Sequence, residues 1–141
     1  MRVVLDTNVW VSQLISPRGN PARVFDMLFA RRFELVVSPR ILSEYRQVLT
    51  YQHIAKRLHS SRADVDFLLE NLEEIGIMVD PTNVPRVVPE DSSDDTFLAA
   101  ALAGEADFII SGDQHLLALR NYRGIAILSP AVFVAYMKTQ G

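Results

Sequence analysis

A chain of 141 residues, 49% of them hydrophobic and with a formal charge of −3, has the length of one domain; roughly 68–70% of its unfolded surface can be buried on folding. With no cysteine and three histidines, disulfides and thiolate metal sites are excluded and a zinc centre is argued against, so any metal has to be held by oxygen. No apolar run approaches the roughly 20 residues of a membrane span, and Asp6 falls too early for a signal-peptide core, so a soluble, cytoplasmic protein with no membrane partner is expected.

The chain opens on Arg2 to Leu5, a short β-branched run that reads as a strand buried on both faces. Asp6-Thr7-Asn8 turns into a helix carrying Val9, Trp10, Leu14 and Ile15, and Ser16-Pro17-Arg18-Gly19 is turn chemistry. Asn20 as N-cap and Pro21 at the first helical position start a second helix with Val24, Phe25, Leu28 and Phe29 on one face. Leu35 to Val37 gives the second strand. Ser38 and Pro39 then open a helix with Ile41, Leu42, Tyr45, Val48 and Leu49 at helical spacing. Residues 61–75 form a further helix through Phe67, Leu68, Leu72 and Ile75, ending near Gly76. Ile77 to Val79 is a third strand, and Pro81, Pro85 and Pro89 keep the next stretch extended, with Arg86-Val87-Val88 as a short edge pairing. A helix over 94–103, a strand over 107–110, a helical turn at Leu116-Leu117, a fifth strand over 125–128 and a helix from Pro130 complete the chain.

Strand and helix alternate throughout, which predicts a three-layer α/β/α sandwich around a central, mainly parallel sheet of about five strands, Rossmann-like in plan. Open sheets of this kind place their sites beyond the carboxyl ends of the strands. Four acids fall at such ends: Asp6 after the first strand, Glu44 on the helix after the second, Asp94 opening the Ala-rich helix, and Asp113 after the fourth. Each has a plainer reading. Asp6 and Asp113 could serve only as helix caps. Asp91, Asp94 and Asp95 crowd a helix start, where the helix dipole favours negative charge by ~0.3–1 kcal/mol each. Glu44 could be surface filler, although it sits three residues after Ile41 and four before Val48, at the margin of the apolar stripe. Among the crowded acids Asp94 shares a face with Leu98 and Ala101 and is preferred, with Asp95 in reserve.

Gathering these acids has a cost. Two carboxylates 4 Å apart repel by ~4 kcal/mol at an effective dielectric of 20, and no Lys or Arg in the flanking motifs obviously compensates. Mg²⁺ or Mn²⁺ suits an all-oxygen site with open water positions. Charge gives nucleic acid only weak support: residues 1–70 carry ten Lys/Arg against seven acids, residues 71–141 four against ten. Strong nonspecific polyanion binding is not expected.

The sequence of motifs, Asp6-Thr7-Asn8 after a strand, a helix Glu44, Asp94-x-x-Phe97-Leu98-x-x-Ala101 and a strand ending Ser111-Gly112-Asp113, resembles the PIN domain. More narrowly it is similar to the bacterial and archaeal branch of toxins from toxin–antitoxin pairs, over essentially the whole chain, residues 1–141 as one domain. The resemblance implies a Mg²⁺- or Mn²⁺-dependent endoribonuclease of single-stranded RNA with Asp6, Glu44, Asp94 and Asp113 as catalytic, metal-binding residues. Asn8 and Ser111 would hold those acids by hydrogen bonds, Ser111 standing where many members carry Thr. Hydrolysis by in-line attack of a metal-activated water is the mechanism expected. The substrate would lie across the sheet edge, met by Arg18, Arg40 and Arg46. A homodimer and a cognate antitoxin protein are implied by the resemblance alone.

Two other readings compete. A phosphatase of the haloacid-dehalogenase type also starts with an Asp after its first strand, but it needs a second Asp two residues on, where this chain has Asn8, and a later Lys that has no evident counterpart. A non-catalytic protein-binding domain would keep the fold and use its acids as caps. No glycine-rich phosphate loop is present, so nucleotide-driven functions rank low.

Overall fold

Three strand segments are buried residue after residue, which a sheet covered on one face cannot achieve because successive side chains point to opposite sides. Val3, Val4 and Leu5 are wholly buried, as are Leu35 to Val37 and Ile109-Ile110 to within a percent. The computed structural model describes residues 1–81 and 92–140, and of residues 92–94 the backbone. Among the described residues the chain runs β1 (Arg2–Leu5), α1 (Thr7–Ile15), α2 (Asn20–Phe29), β2 (Glu34–Val37), α3 (Pro39–Val48), α4 (Gln52–Ala55), α5 (Arg62–Ile75), β3 (Ile77–Met78), α6 (Ser92–Ala103), β4 (Phe108–Ile110), α7 (Gln114–Leu119), β5 (Asn121–Tyr122), β6 (Ile125–Leu128) and α8 (Pro130–Thr139).

The sheet order is β3-β2-β1-β4-β6-β5, parallel everywhere except between β5 and β6. Helices flank this sheet to give the α/β/α sandwich: α6 lies against β1, β2 and β4, α5 against β2, and α1 against α2 and α3. The order reverses at the β1/β4 pair, where β1 leads outward to β2 on one side and β4 to β6 on the other. That is the switch point at which an open sheet leaves a crevice beyond its strand ends. Register aligns its two lips, since Leu5 pairs with Ile110 and the ladder continues with Asp6 N–H donating to Ile110 O at 2.9 Å. Asp6 and Ser111 therefore leave the sheet side by side.

Local chemistry sets most helix starts. Ser38, Ser61 and Ser129 each accept a hydrogen bond from the backbone N–H three residues on, at 3.2 Å, and Pro39 and Pro130 occupy the first helical positions. The cap of α2 is Gly19 rather than Asn20; Asn20 is itself the first helical residue and Pro21 the second.

Several expectations need correction. There are six strands among the described residues, not about five: β5 is a two-residue antiparallel strand joined to β6 through Arg123-Gly124, both at positive φ as a tight two-residue hairpin requires. Phe67 points to solvent at 65% exposure because α5 buries Val65 and Leu69 along with the expected Leu72, and Phe29, the last residue of α2, is also exposed. The turn at Leu116-Leu117 is a six-residue helix, and α4 was not foreseen. The edge pairing assigned to Arg86-Val87-Val88 lies outside the described residues.

Candidate functional site

Asp6 sits 4% exposed at the end of the central strand, with nearly all of its hydrogen-bonding capacity engaged. Its Oδ1 accepts from Thr7 N at 2.7 Å, which caps α1; its Oδ2 accepts from Asn8 Nδ2 at 2.9 Å and from Ser111 Oγ at 2.5 Å. Ser111, wholly buried at the end of β4, is a hub: its oxygen also accepts from Asp113 N at 2.9 Å and from Asn8 Nδ2 at 3.5 Å. Asn8 completes the link with its other atom, Oδ1 accepting from Gly112 N at 3.0 Å. One hydroxyl and one amide thus tie the β1 end to the β4 end.

Asp113 both caps and faces this cluster. Its Oδ1 accepts from His115 N at 2.7 Å and Leu116 N at 3.4 Å, with His115 Nδ1 at 3.6 Å, and Oδ2 carries no hydrogen bond among the described residues. A cap needs one oxygen, and the second remains available to a ligand.

Glu44 is brought to the same edge by its neighbour. Tyr45 is buried beneath α3, donates its hydroxyl to Leu5 O on β1, and stacks on Trp10 of α1 with ring centroids 5.2 Å apart and 9° between planes. Trp10 Nε1 returns a bond of 3.1 Å to Tyr45 O. This clamp fixes the middle of α3 against the end of β1, so half-buried Glu44 comes within electrostatic reach of Asp6.

The electrostatics follow from that gathering. Burial pushes the Asp6 carboxyl up from 3.8 to about 6, and repulsion from Asp113 and Glu44 adds to it, against the lowering effect of the Ser111 and Thr7 bonds. Burial, with the charges of Asp6 and Glu44, holds the Tyr45 phenol well above its ordinary value. Among the described residues no Lys or Arg forms an ion pair with Asp6 or Asp113.

In the sequence, helix phase favours Asp94 over Asp95 as the third acid, and the structure removes that criterion. Helix α6 is buried all round, from Asp95 and Thr96 through Ala101, so no single face of it is the inward one. Asp95 is 4% exposed. The side chain of Asp94 lies outside the described residues, as does Asp91.

The basic residues divide. Arg40 lines an open groove of about 510 Å³ together with Ser43, Glu44, Gln47, Tyr51 and Thr96. Arg46 instead pairs with Glu73 of α5 at 3.6 Å. Arg18 is exposed in the α1–α2 turn, at the far end of the nine-residue helix that Asp6 caps, roughly 14 Å along its axis. Arg18 and Arg46 are not gathered with Glu44 as Arg40 is.

A divalent cation fits what is described. The donors are all hard carboxylate oxygens, Asp6 is buried beside like charges, and the adjacent Thr7 Oγ1 is buried with no hydrogen-bond partner among the described residues. Among those residues no three His, Asp or Glu close to a common coordination sphere. Mg²⁺ commonly keeps several waters and takes only one or two carboxylates, so a looser set suffices.

Sequence reasoning passed over Tyr45, Trp10, Thr96 and His115. The first two looked like core residues at helical spacing, and they are; their role at the site lies in where their polar atoms land.

The PIN domain family profile matches residues 2–115 of the chain. An uncharacterised protein of Methanocaldococcus jannaschii is 30% identical over 124 residues, spanning 86% of this chain and 76% of its own. In fold the chain is similar to the crystal structure of PAE2754 from Pyrobaculum aerophilum, with a TM-score of 0.65 and 15% identity, covering 99% of this chain and 91% of that one. It is also similar to VapBC2 from Rickettsia felis bound to a promoter DNA fragment, with a TM-score of 0.57 and 12% identity over 92% and 98% of the two chains.

Proposed function

This chain belongs to the PIN domain family, and from that membership and the carboxylates at the β1/β4 switch point we propose that it is a divalent-metal-dependent endoribonuclease acting on single-stranded RNA. The observation that carries the reading is buried Asp6, joined to Asp113 through the Ser111 hydroxyl and lacking a Lys or Arg ion-pair partner among the described residues. Mg²⁺ or Mn²⁺, held by Asp6 and Asp113 with Glu44 and Asp94 or Asp95 completing the set, would supply Lewis acidity and an activated water at a phosphodiester.

The chain's own residues have separable tasks in this scheme. Asp6 and the Asp113 oxygen that carries no hydrogen bond among the described residues would hold the cation. Asn8 and Ser111 orient Asp6 by directed donors, which fixes where its remaining lone pair points. Glu44, on the lip of the groove, faces the substrate side, and Arg40 on the same groove neutralises a phosphate. Asn8 argues against the phosphatase reading: where that chemistry needs a carboxylate, this amide is bonded at both ends. The similarity to the VapBC2 complex supports a cognate antitoxin as partner and a toxin role; a homodimer is proposed from the family resemblance alone.

The decisive comparison uses Asn at Asp113. Asn caps a helix about as well as Asp, so Asp113→Asn keeps α7 and removes one negative ligand. RNA cleavage with Mn²⁺ or Mg²⁺ should be lost in Asp113→Asn and Asp6→Asn, with melting temperatures near that of the wild type for the former. Equal cleavage by all three proteins would mean that these acids are caps alone.

A further inference from the structure

Helix α4 buries none of its residues, so folding does not account for what it and its flanks carry. From Tyr45 to Ala63 there is no acid, while Arg46, His53, Lys56, Arg57, His59 and Arg62 fall within those positions of a chain whose net charge is −3. Arg46 and Arg62 are paired with Glu73 and Asp66. Lys56 and Arg57, both exposed, form no ion pair among the described residues.

These residues continue a path that begins at the carboxylates. Tyr51 lines the same groove as Glu44, Arg40 and Gln47, and the turns after α3 carry the chain to it through bonds from Leu49, Thr50 and Tyr51 N–H to the carbonyls three residues back. Glu44 to Tyr51 is about 10 Å at 1.5 Å per residue, roughly three stacked nucleotides at 3.4 Å each. Tyr51 is 44% exposed and lies nearly parallel to His53, centroids 6.1 Å apart with 14° between planes. One short helix further on, about 6 Å at 1.5 Å per residue, a second hollow of about 400 Å³ is lined by Ser16, Lys56, Arg57 and His59.

We propose that single-stranded RNA runs from the carboxylate centre along the α3 groove, stacks a base on the Tyr51–His53 pair, and passes its phosphates over Lys56 and Arg57. The chemistry matches: exposed rings supply sequence-tolerant stacking, and unpaired cations neutralise the backbone on either side of it. This inference rests on the nuclease reading and assigns that site its substrate path. It also gives an acidic protein a local means of handling a polyanion, because Lys56 and Arg57, neither in an ion pair among the described residues, lie in a stretch that carries no acid from Tyr45 to Ala63.

The test measures affinity of the full chain for a fluorescein-labelled 12-nucleotide oligouridylate in EDTA, where cleavage is silent, as a function of salt. Tyr51→Ala should weaken binding about tenfold with an unchanged salt slope, Tyr51→Phe should bind as the wild type does, and the Tyr51→Ala loss should vanish on an abasic strand. Lys56→Gln/Arg57→Gln should reduce the log–log slope by about 1.4, at about 0.7 per phosphate. Wild-type binding left untouched by these substitutions overturns the path while the nuclease reading stands; an oligonucleotide neither bound in EDTA nor cleaved with Mn²⁺ overturns both.

Discussion

Asp6 is where pH acts most directly. Burial pushes its carboxyl up from an ordinary 3.8 to about 6, so the native state holds the proton more tightly than the unfolded chain does. The corresponding stabilisation is complete below about pH 4 and is lost as pH rises through 6, up to about 3 kcal/mol at 1.36 kcal/mol per pKa unit. Urea unfolding of metal-free protein should therefore show a stability decline from pH 4 to 7 that Asp6→Asn flattens. Cation binding runs the other way, since proton and metal compete for the same oxygens: Mn²⁺ affinity by calorimetry should climb between pH 5 and 7, and a flat profile would count against Asp6 as a ligand. Ser111 tunes this balance by donating to Asp6, which lowers its pKa. Ser111→Ala should move the midpoint of the Mn²⁺ profile to higher pH, while Ser111→Thr, keeping the hydroxyl, should leave it in place.

Elements reach the site through anchors that are themselves core residues. Helix α3 is held by Tyr45, whose hydroxyl meets Leu5 O and whose ring lies on Trp10. Tyr45→Phe keeps the stack and leaves a buried carbonyl unpaired, a loss of about 1–3 kcal/mol by chemical denaturation. It should also weaken cleavage, because Glu44 is the next residue on the same turn; unchanged cleavage would separate Glu44 from the clamp. Close packing makes a different demand at Gly104, between α6 and β4. A Cβ there would lie 2.6 Å from Val36 Cγ1, a β-branched side chain within the core, so Gly104→Ala should cost about 1–3 kcal/mol. Boundaries of elements were largely legible because their signals are local: Ser-Pro at two helix starts, Gly76 closing α5, apolar triplets for β1, β2 and β4. Phe67 misled because an aromatic at an approximately helical interval resembles a core residue; the buried triad Val65, Leu69 and Leu72 has the tighter four-then-three spacing. Strand β5 was missed because two residues, Asn121 and Tyr122, are too few for a period to register.

At the scale of the whole molecule the central pair governs. β1 and β4 are flanked on both sides by other strands and covered on both faces, so their amides should exchange with solvent only by global unfolding, while those of β5 open locally. Hydrogen exchange showing β1 as labile as β5 would contradict a site built on a rigid edge. The amino-acid string by itself determined the strand–helix alternation, the capping chemistry and the oxygen-only donor set, since each depends on residues within a turn or two of one another. What the tertiary structure decided was adjacency. Residues 6 and 111 become neighbours because β1 and β4 pair in a register set by the sheet, and Arg40 and Arg46, six apart on one helix, separate because one lines the groove and the other faces Glu73. Helix phase could not rank Asp94 against Asp95, because α6 is enclosed on every side; spacing along a chain identifies a face only when water covers the other.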